Sequence, residues 1–287
     1  MGKVQGLILA LLVCSVSLGH AEQLDAEGPP RTLVLGAFDA EIEAIRGLLS
    51  APHDTVCAGV PVTLGILNDL PVAVGLCGIG KVNAAVVTAL LIEHLRPRAL
   101  LFTGIAGGLN PDLEPGDIVI GAQVTHHDVV RISSSGPQSM ATRHPVTGKQ
   151  NPVFFPADST LLALVQRALA RARFSSVPLV AGEHLPRTVL GTIATGDEFI
   201  ASNAEKEKLR ERTHADAVEM EGAAVAQICY QMGTPCLIIR SLSDRADSSA
   251  VRDAERFYRI AASNGAALVL AMLQEVAATA DTTEIGR

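Results

Sequence analysis

The chain has no tryptophan, and only two tyrosines and seven phenylalanines among its 287 residues. Its core must therefore be aliphatic, and an aromatic placed at a turn stands out. Charge is sparse as well, 18% of residues against 48% hydrophobic, a balance that excludes intrinsic disorder. The net charge of −7 has no Lys/Arg block to offset it, so there is no electrostatic footprint for nucleic acid, and a small-molecule partner is expected. Cysteine is scarce, and none of the five has CxxC or zinc-ligand spacing. A GxGxxG fingerprint, a P-loop ending and an HExxH helix are all missing. The adjacent His126 and His127 cannot both face one metal from a strand, so neither a metal nor a cofactor is expected.

Residues 1–21 read as a signal peptide. Lys3 supplies the basic start, residues 7–18 an apolar run too short to span a bilayer comfortably, and Gly19-His20-Ala21 a small-x-small cleavage site. Val13 before Cys14 argues against lipidation. An exported chain, periplasmic or secreted, is thus expected to begin at Glu22, with 22 basic and 30 acidic residues and a charge of −8. Residues 22–31 are then a leader, 32–277 one domain and 278–287 a tail. Export permits pairing among Cys57, Cys77, Cys229 and Cys236. Cys77, at the end of an apolar strand, and Cys229, on the buried face of a helix, suit small buried hydrophobes better. A Cys57–Cys77 bridge stays open, because their strands are expected to be neighbours.

Apolar runs at 32–36, 72–77, 99–103, 118–124, 188–194 and 236–239 alternate with helical spacings at 82–95, 161–172, 205–212 and 254–277. The runs show no polar alternation, which marks strands buried on both faces. The expected fold is a single α/β domain, a central, mostly parallel mixed β-sheet flanked by helices. Asn68-Asp69 marks a hairpin, and residues 131–156 form the longest irregular stretch.

In an open α/β sheet, ligands bind beyond the carboxyl ends of the strands. Residues 218–244 concentrate charge at such a place: Glu219 and Glu221 open a helix, and Arg240, Ser243 and Asp244 follow a buried strand. Each has a plainer explanation, the glutamates as dipole-favoured helix starts and Asp244 as a cap. Met220 and the small Gly222, Ala223 and Ala224, however, leave a face open to a ligand. Glu41 lies in the first helical turn after the first strand. The glycine-rich turn at 104–108, Gly107 included, lets backbone N–H groups approach a ligand. Phe199, after the turn at 195–198, either stacks on a flat ligand or belongs to the core.

The segments GAFDAEIEAI, GIGKVNAA, TGIAGGL-x6-GDIV, TGDEFI, AVEMEGAAVAQ and RSLSD, in that order and spacing, resemble the nucleoside phosphorylase/hydrolase superfamily. Within it they look most like 5′-methylthioadenosine/S-adenosylhomocysteine nucleosidases. The resemblance spans residues 33–273, and six ordered motifs are far more specific than one. It implies a three-layer α/β/α fold and hydrolysis of the N-glycosidic bond of a purine nucleoside, without a cofactor; a homodimer is expected. It gives Asp244 the role of general acid towards purine N7, oriented by Ser243, and Glu41 that of activating water. Glu221 would hold the ribose hydroxyls, with Met220 against the sugar and Glu219 nearby. Phe199 would stack on the base, Ile200 would present backbone to its edge, Arg240 would lie near the ribose, and Gly107 would line the ligand. Ile105 stands where such nucleosidases often have a small hydroxyl residue, and no aromatic lid matches around 248–254. Thr103 precedes the glycine-rich turn where related phosphorylases carry arginine, which favours water over phosphate. A non-catalytic storage relative would not need Glu41, Glu221 and Asp244 together.

Overall fold

The computed structural model describes residues 30–280. The expected signal peptide, most of the leader and residues 281–287 lie outside the described residues. Strand β1 (Thr32–Gly36) is buried along its whole length, as an inner strand should be. A single 3₁₀ turn at Asp39–Glu41 and the short α1 (Glu43–Arg46) follow. Three antiparallel strands come next, β2 (Ser50–Cys57), β3 (Val60–Leu67) and β4 (Leu70–Leu76). Asn68 and Asp69 both adopt positive φ, 49° and 63°, the backbone of a tight two-residue hairpin. Hydrophobic pattern does not announce β2, which is polar, exposed, contains Pro52 and forms the sheet edge. Only an edge strand tolerates a missing ladder donor.

The chain continues through α2 (Lys81–Leu95), β5 (Ala99–Gly108), β6 (Ile118–His126), the hairpin β7 (Val130–Ser133) and β8 (Gly136–Ser139), and β9 (Phe154–Pro156). Then come α3 (Ser159–Ala168), the hairpin β10 (Val177–Leu179) and β11 (Gly182–His184), β12 (Thr188–Thr195) and α4 (Asn203–Thr213). Last are β13 (Ala217–Glu219), α5 (Gly222–Met232), β14 (Cys236–Asp244) and α6 (Ala250–Ala280). The stretch expected to be irregular thus holds a hairpin and a strand that pairs with β6.

The main sheet runs β13-β12-β6-β14-β5-β1-β4-β3-β2, with β9 added on β6. It is the expected mixed sheet flanked by helices: five strand pairings are parallel, the two longest among them, and five antiparallel. Because β13 also pairs with β5, the strands β5, β14, β6, β12 and β13 close into a ring. Residues of α2 and α5 pack on one face of the sheet, and residues of α1, α3 and α6 on the other. By length and composition α6 could cross a membrane, yet 67% of its most apolar window is buried inside the fold. Its apolar surface is core surface.

The four cysteines after the leader are free and buried. Strand β3 separates the strand of Cys57 from β4, which Cys77 follows. The two are not on neighbouring strands, and the bridge left open by the sequence is not formed.

Candidate active site

All nine residues of β14 are buried. The sequence ends this strand at Ile239 because an arginine follows, but the strand continues through Arg240, Ser243 and Asp244, and Arg240 lies opposite Gly104 of β5. The glycine-rich segment is likewise strand, not turn, and it bends to bring Gly107 and Gly108 beside β13. Its glycines serve close approach. A Cβ on Gly104 would collide with Arg240 Nη1 and lie 2.6 Å from Glu41 Oε1, and one on Gly107 would lie 2.9 Å from Asp244 Oδ1.

Glu219 ends β13 instead of opening a helix, and Glu221 is the N-cap of α5. Glu219 still caps that helix, accepting the N–H groups of Glu221 at 3.0 Å and Gly222 at 2.7 Å. It also accepts the Thr195 hydroxyl and, at 3.1 and 2.6 Å, Nε and Nη2 of Arg240. With its oxygens taken up by protein donors, Glu219 holds Arg240 at the edge of the cavity it lines. Arg240 is 1% exposed and lies 4.1 Å over the Phe102 ring. Burial opposes its charge, but Glu219, Glu41 and Glu221 outweigh burial and raise its pKa. Its Nη1 has no hydrogen-bond partner among the described residues.

In front of this pair lies a cavity of about 180 Å³, which brings together every expected site residue except Arg240, which stands behind Glu219. Of the five acidic residues that line it, Glu41, Glu221 and Asp244 come from three different elements. Glu41 is fixed by N–H donors from Ala37 (2.6 Å), Phe38 (3.3 Å) and Ile105 (2.9 Å). Burial raises its pKa, against the pull of Arg240 and those N–H groups. Glu221 accepts the Gly80 N–H at 2.8 Å. Burial first, then the charge of Glu219, pushes it up to about 7. Asp244 accepts the Ser243 hydroxyl and the Ala246 N–H, each at 2.8 Å. Burial carries it up to about 6 in spite of both bonds. Phe199 is 56% exposed at the rim, so it is free to stack and not a core residue.

Sequence reading assigned no role to Gly80, Phe38 or Ile79. Gly80 supplies the donor to Glu221, and the other two line the cavity. The available clue was the Gly-Ile-Gly turn, whose Gly80 takes φ of 95°. Tyr258, just beyond the stretch that lacks an aromatic lid, places its ring 6.4 Å from that of Phe38. His126 bonds Gln227 at 3.1 Å while the ring of His127 packs on Gly196, so the two side chains diverge. A larger hollow of about 750 Å³ lies between the β10–β11 hairpin and the start of α6. It contains none of the three carboxylates, and its Arg245 and Arg252 are paired with Glu114 and Asp253.

Residues 31–274 match the family model described as the phosphorylase superfamily. The chain belongs to that superfamily. Among its relatives, the 5′-methylthioadenosine/S-adenosylhomocysteine nucleosidase of Geobacillus kaustophilus is 38% identical over 85% of this chain and 96% of its own. A solved structure of the nucleosidase of that name from Colwellia psychrerythraea, in complex with adenine, aligns with TM-score 0.73 and 33% identity, covering 86% of this chain and 96% of that one. The futalosine hydrolase of Helicobacter pylori aligns with TM-score 0.71 and 28% identity over 86% of this chain and 98% of its own. Similarity to this phosphorylase-superfamily branch therefore extends over nearly the full length of each relative.

Proposed function

We propose that this protein hydrolyses the N-glycosidic bond of a purine nucleoside of the 5′-methylthioadenosine/S-adenosylhomocysteine type, releasing adenine and a 5-thio-substituted ribose. The observation that carries this reading is the meeting of Glu41, Glu221 and Asp244 in one cavity, where burial raises the pKa of each. Departure of the base builds positive charge on the sugar and negative charge on the purine. Carboxylates at the sugar stabilise the first, and an acid at N7 relieves the second. Asp244, steadied by Ser243, gives its proton to N7 as the C1′–N9 bond breaks. Glu41 takes a proton from water as the new C1′–O bond forms. Glu221 holds the ribose hydroxyls with Met220 against the sugar, Phe199 stacks on the base, and Ile200 offers backbone to its edge.

Hydrolysis is favoured over phosphorolysis because no lysine or arginine lines the cavity; a phosphate dianion there would face three carboxylates. The likeness to futalosine hydrolase supports a second reading, in which the nucleoside is futalosine. A homodimer is part of the proposal. Helix α2 is apolar nearly all round, and its Val82 and Val86 are 72% and 52% exposed; such a helix is ordinarily a buried one.

The test is to incubate the mature protein with 5′-methylthioadenosine, S-adenosylhomocysteine, adenosine, inosine and futalosine, with and without phosphate. Adenine release from a 5′-thio nucleoside at a phosphate-independent rate is expected. Phosphate-dependent turnover to a sugar 1-phosphate would replace hydrolysis by phosphorolysis, and no base release from any of them would point to a binding or storage role.

A further inference from the structure

Lysine is an awkward residue with which to begin a helix, because the unpaired N–H groups there already carry partial positive charge. Helix α2 begins with Lys81 and has no acidic residue in its first turn. The compensation comes from two distant loops. Asp197 accepts the Lys81 N–H at 2.8 Å, capping α2 from more than a hundred residues away. Asp128, just after β6, forms an ion pair with Lys81 Nζ, and its same oxygen accepts the Asp197 N–H at 3.2 Å. Burial works against the charge on Asp128, yet these donors hold its carboxyl below the ordinary range. Lys81, Asp128 and Asp197 thus form a closed triangle, part-buried at the Lys81–Asp128 pair and exposed at Asp197, that joins the start of α2, the end of β6 and the turn after β12.

Two of its corners, Lys81 and Asp197, adjoin residues of the candidate active site. Gly80, next to Lys81, gives its N–H to Glu221, and a Cβ on it would lie 3.2 Å from Asp197 Oδ1. Asp197 is two residues before Phe199, and Ile79 is two before Lys81; both apolar side chains line the cavity and are more than half exposed. Neither the Ile79 nor the Phe199 side chain carries a hydrogen-bonding group, so their separation is set by the backbones that the triangle ties together.

We propose that Lys81 is a positioning residue, which through Asp128 and Asp197 holds the base-stacking turn at Phe199 in register with the Gly80–Glu221 contact before a nucleoside arrives. Lys81 touches no reacting atom. It fixes the spacing between the base and ribose halves of the site, so its removal acts on binding more than on the chemical step. The proposal rests on the nucleosidase reading for which half binds what, and its test includes a measurement that needs no turnover.

The experiment compares Lys81→Met, Lys81→Arg and Asp128→Asn with the unaltered protein in steady-state kinetics on 5′-methylthioadenosine, in calorimetric binding of adenine, and in melting temperature. Lys81→Met should raise KM and weaken adenine binding by about tenfold each, with kcat changed by less than about threefold, since misplacing a binding group costs affinity before chemistry. Asp128→Asn should follow the same pattern, and Lys81→Arg, which keeps the charge, should recover most of the loss. Unchanged KM and adenine affinity in a Lys81→Met protein, whatever its melting temperature, would overturn the proposal. So would a loss confined to kcat. If the unaltered protein binds adenine but releases no base, the nucleosidase reading fails while the adenine titrations still decide the role of Lys81.

Discussion

Asp244→Asn keeps the side chain's size and its place beside Ser243 and Ala246, but it has no proton to give. Turnover should fall by about 10²–10⁴-fold, the usual worth of general acid catalysis, with the melting temperature nearly unchanged. Steady-state kinetics on the best substrate checks this, and a variant within a few-fold of the unaltered enzyme would move the acid elsewhere. The acid works only in its protonated form, and Asp244 is pushed up to about 6. Hence kcat/KM should decline as pH rises through that value, by about tenfold per unit well above it. Glu221 is pushed up to about 7, so its ionisation overlaps that of Asp244 in the pH profile. A profile of Glu221→Gln separates them: the alkaline decline should survive, because it stems from Asp244. The same variant should raise KM as well as lower kcat, since it loosens the hold on the ribose hydroxyls.

Elements decide how those residues meet. Strands β5 and β14 run side by side with Gly104 opposite Arg240, and only a residue without a side chain lets the guanidinium lie flat there between Glu41, Glu219 and Phe102. Gly104→Ala should therefore displace Arg240 and Glu41 together. It should cost about 1–3 kcal/mol in stability, the usual penalty for overpacking, and more than tenfold in activity. Chemical denaturation and kinetics on the same preparation test both. An alanine variant with full activity would mean that the strand pair can part without harm to the site. The glycines read as a turn, and Arg240 as the end of a strand, because local rules treat both residue types as interruptions. Here burial against a carboxylate and a close strand contact override the local rule.

For the whole molecule, the exposed apolar side of α2 should be covered by a second copy. Light scattering should return about twice the chain mass, and a single-chain mass at micromolar concentration would remove the dimer from the proposal. Export is also proposed, from Lys3, the apolar run at 7–18 and the small residues before Glu22. N-terminal sequencing of protein recovered outside the cytosol should begin at or near Glu22. Recovery of only intact, cytosolic chain would count against it.

The sequence by itself determined the α/β class, most inner strands and helices, the Asn68-Asp69 hairpin, and the identity of the three carboxylates. Each depends on local pattern or on motifs kept in a fixed order. The tertiary structure alone decided that half of the main sheet's pairings are antiparallel, that β2 is an edge strand, and that Cys57 and Cys77 stand apart. It also decided that Glu219 serves Arg240 and the start of α5, and that Gly80 and Lys81 belong beside Glu221 and Phe199. The physical reason is the same in each case. A residue's neighbours in sequence set its conformation, but burial, pKa and hydrogen-bond partners come also from groups a hundred or more residues away, such as Gly80 and Glu221, and only the folded chain brings these together.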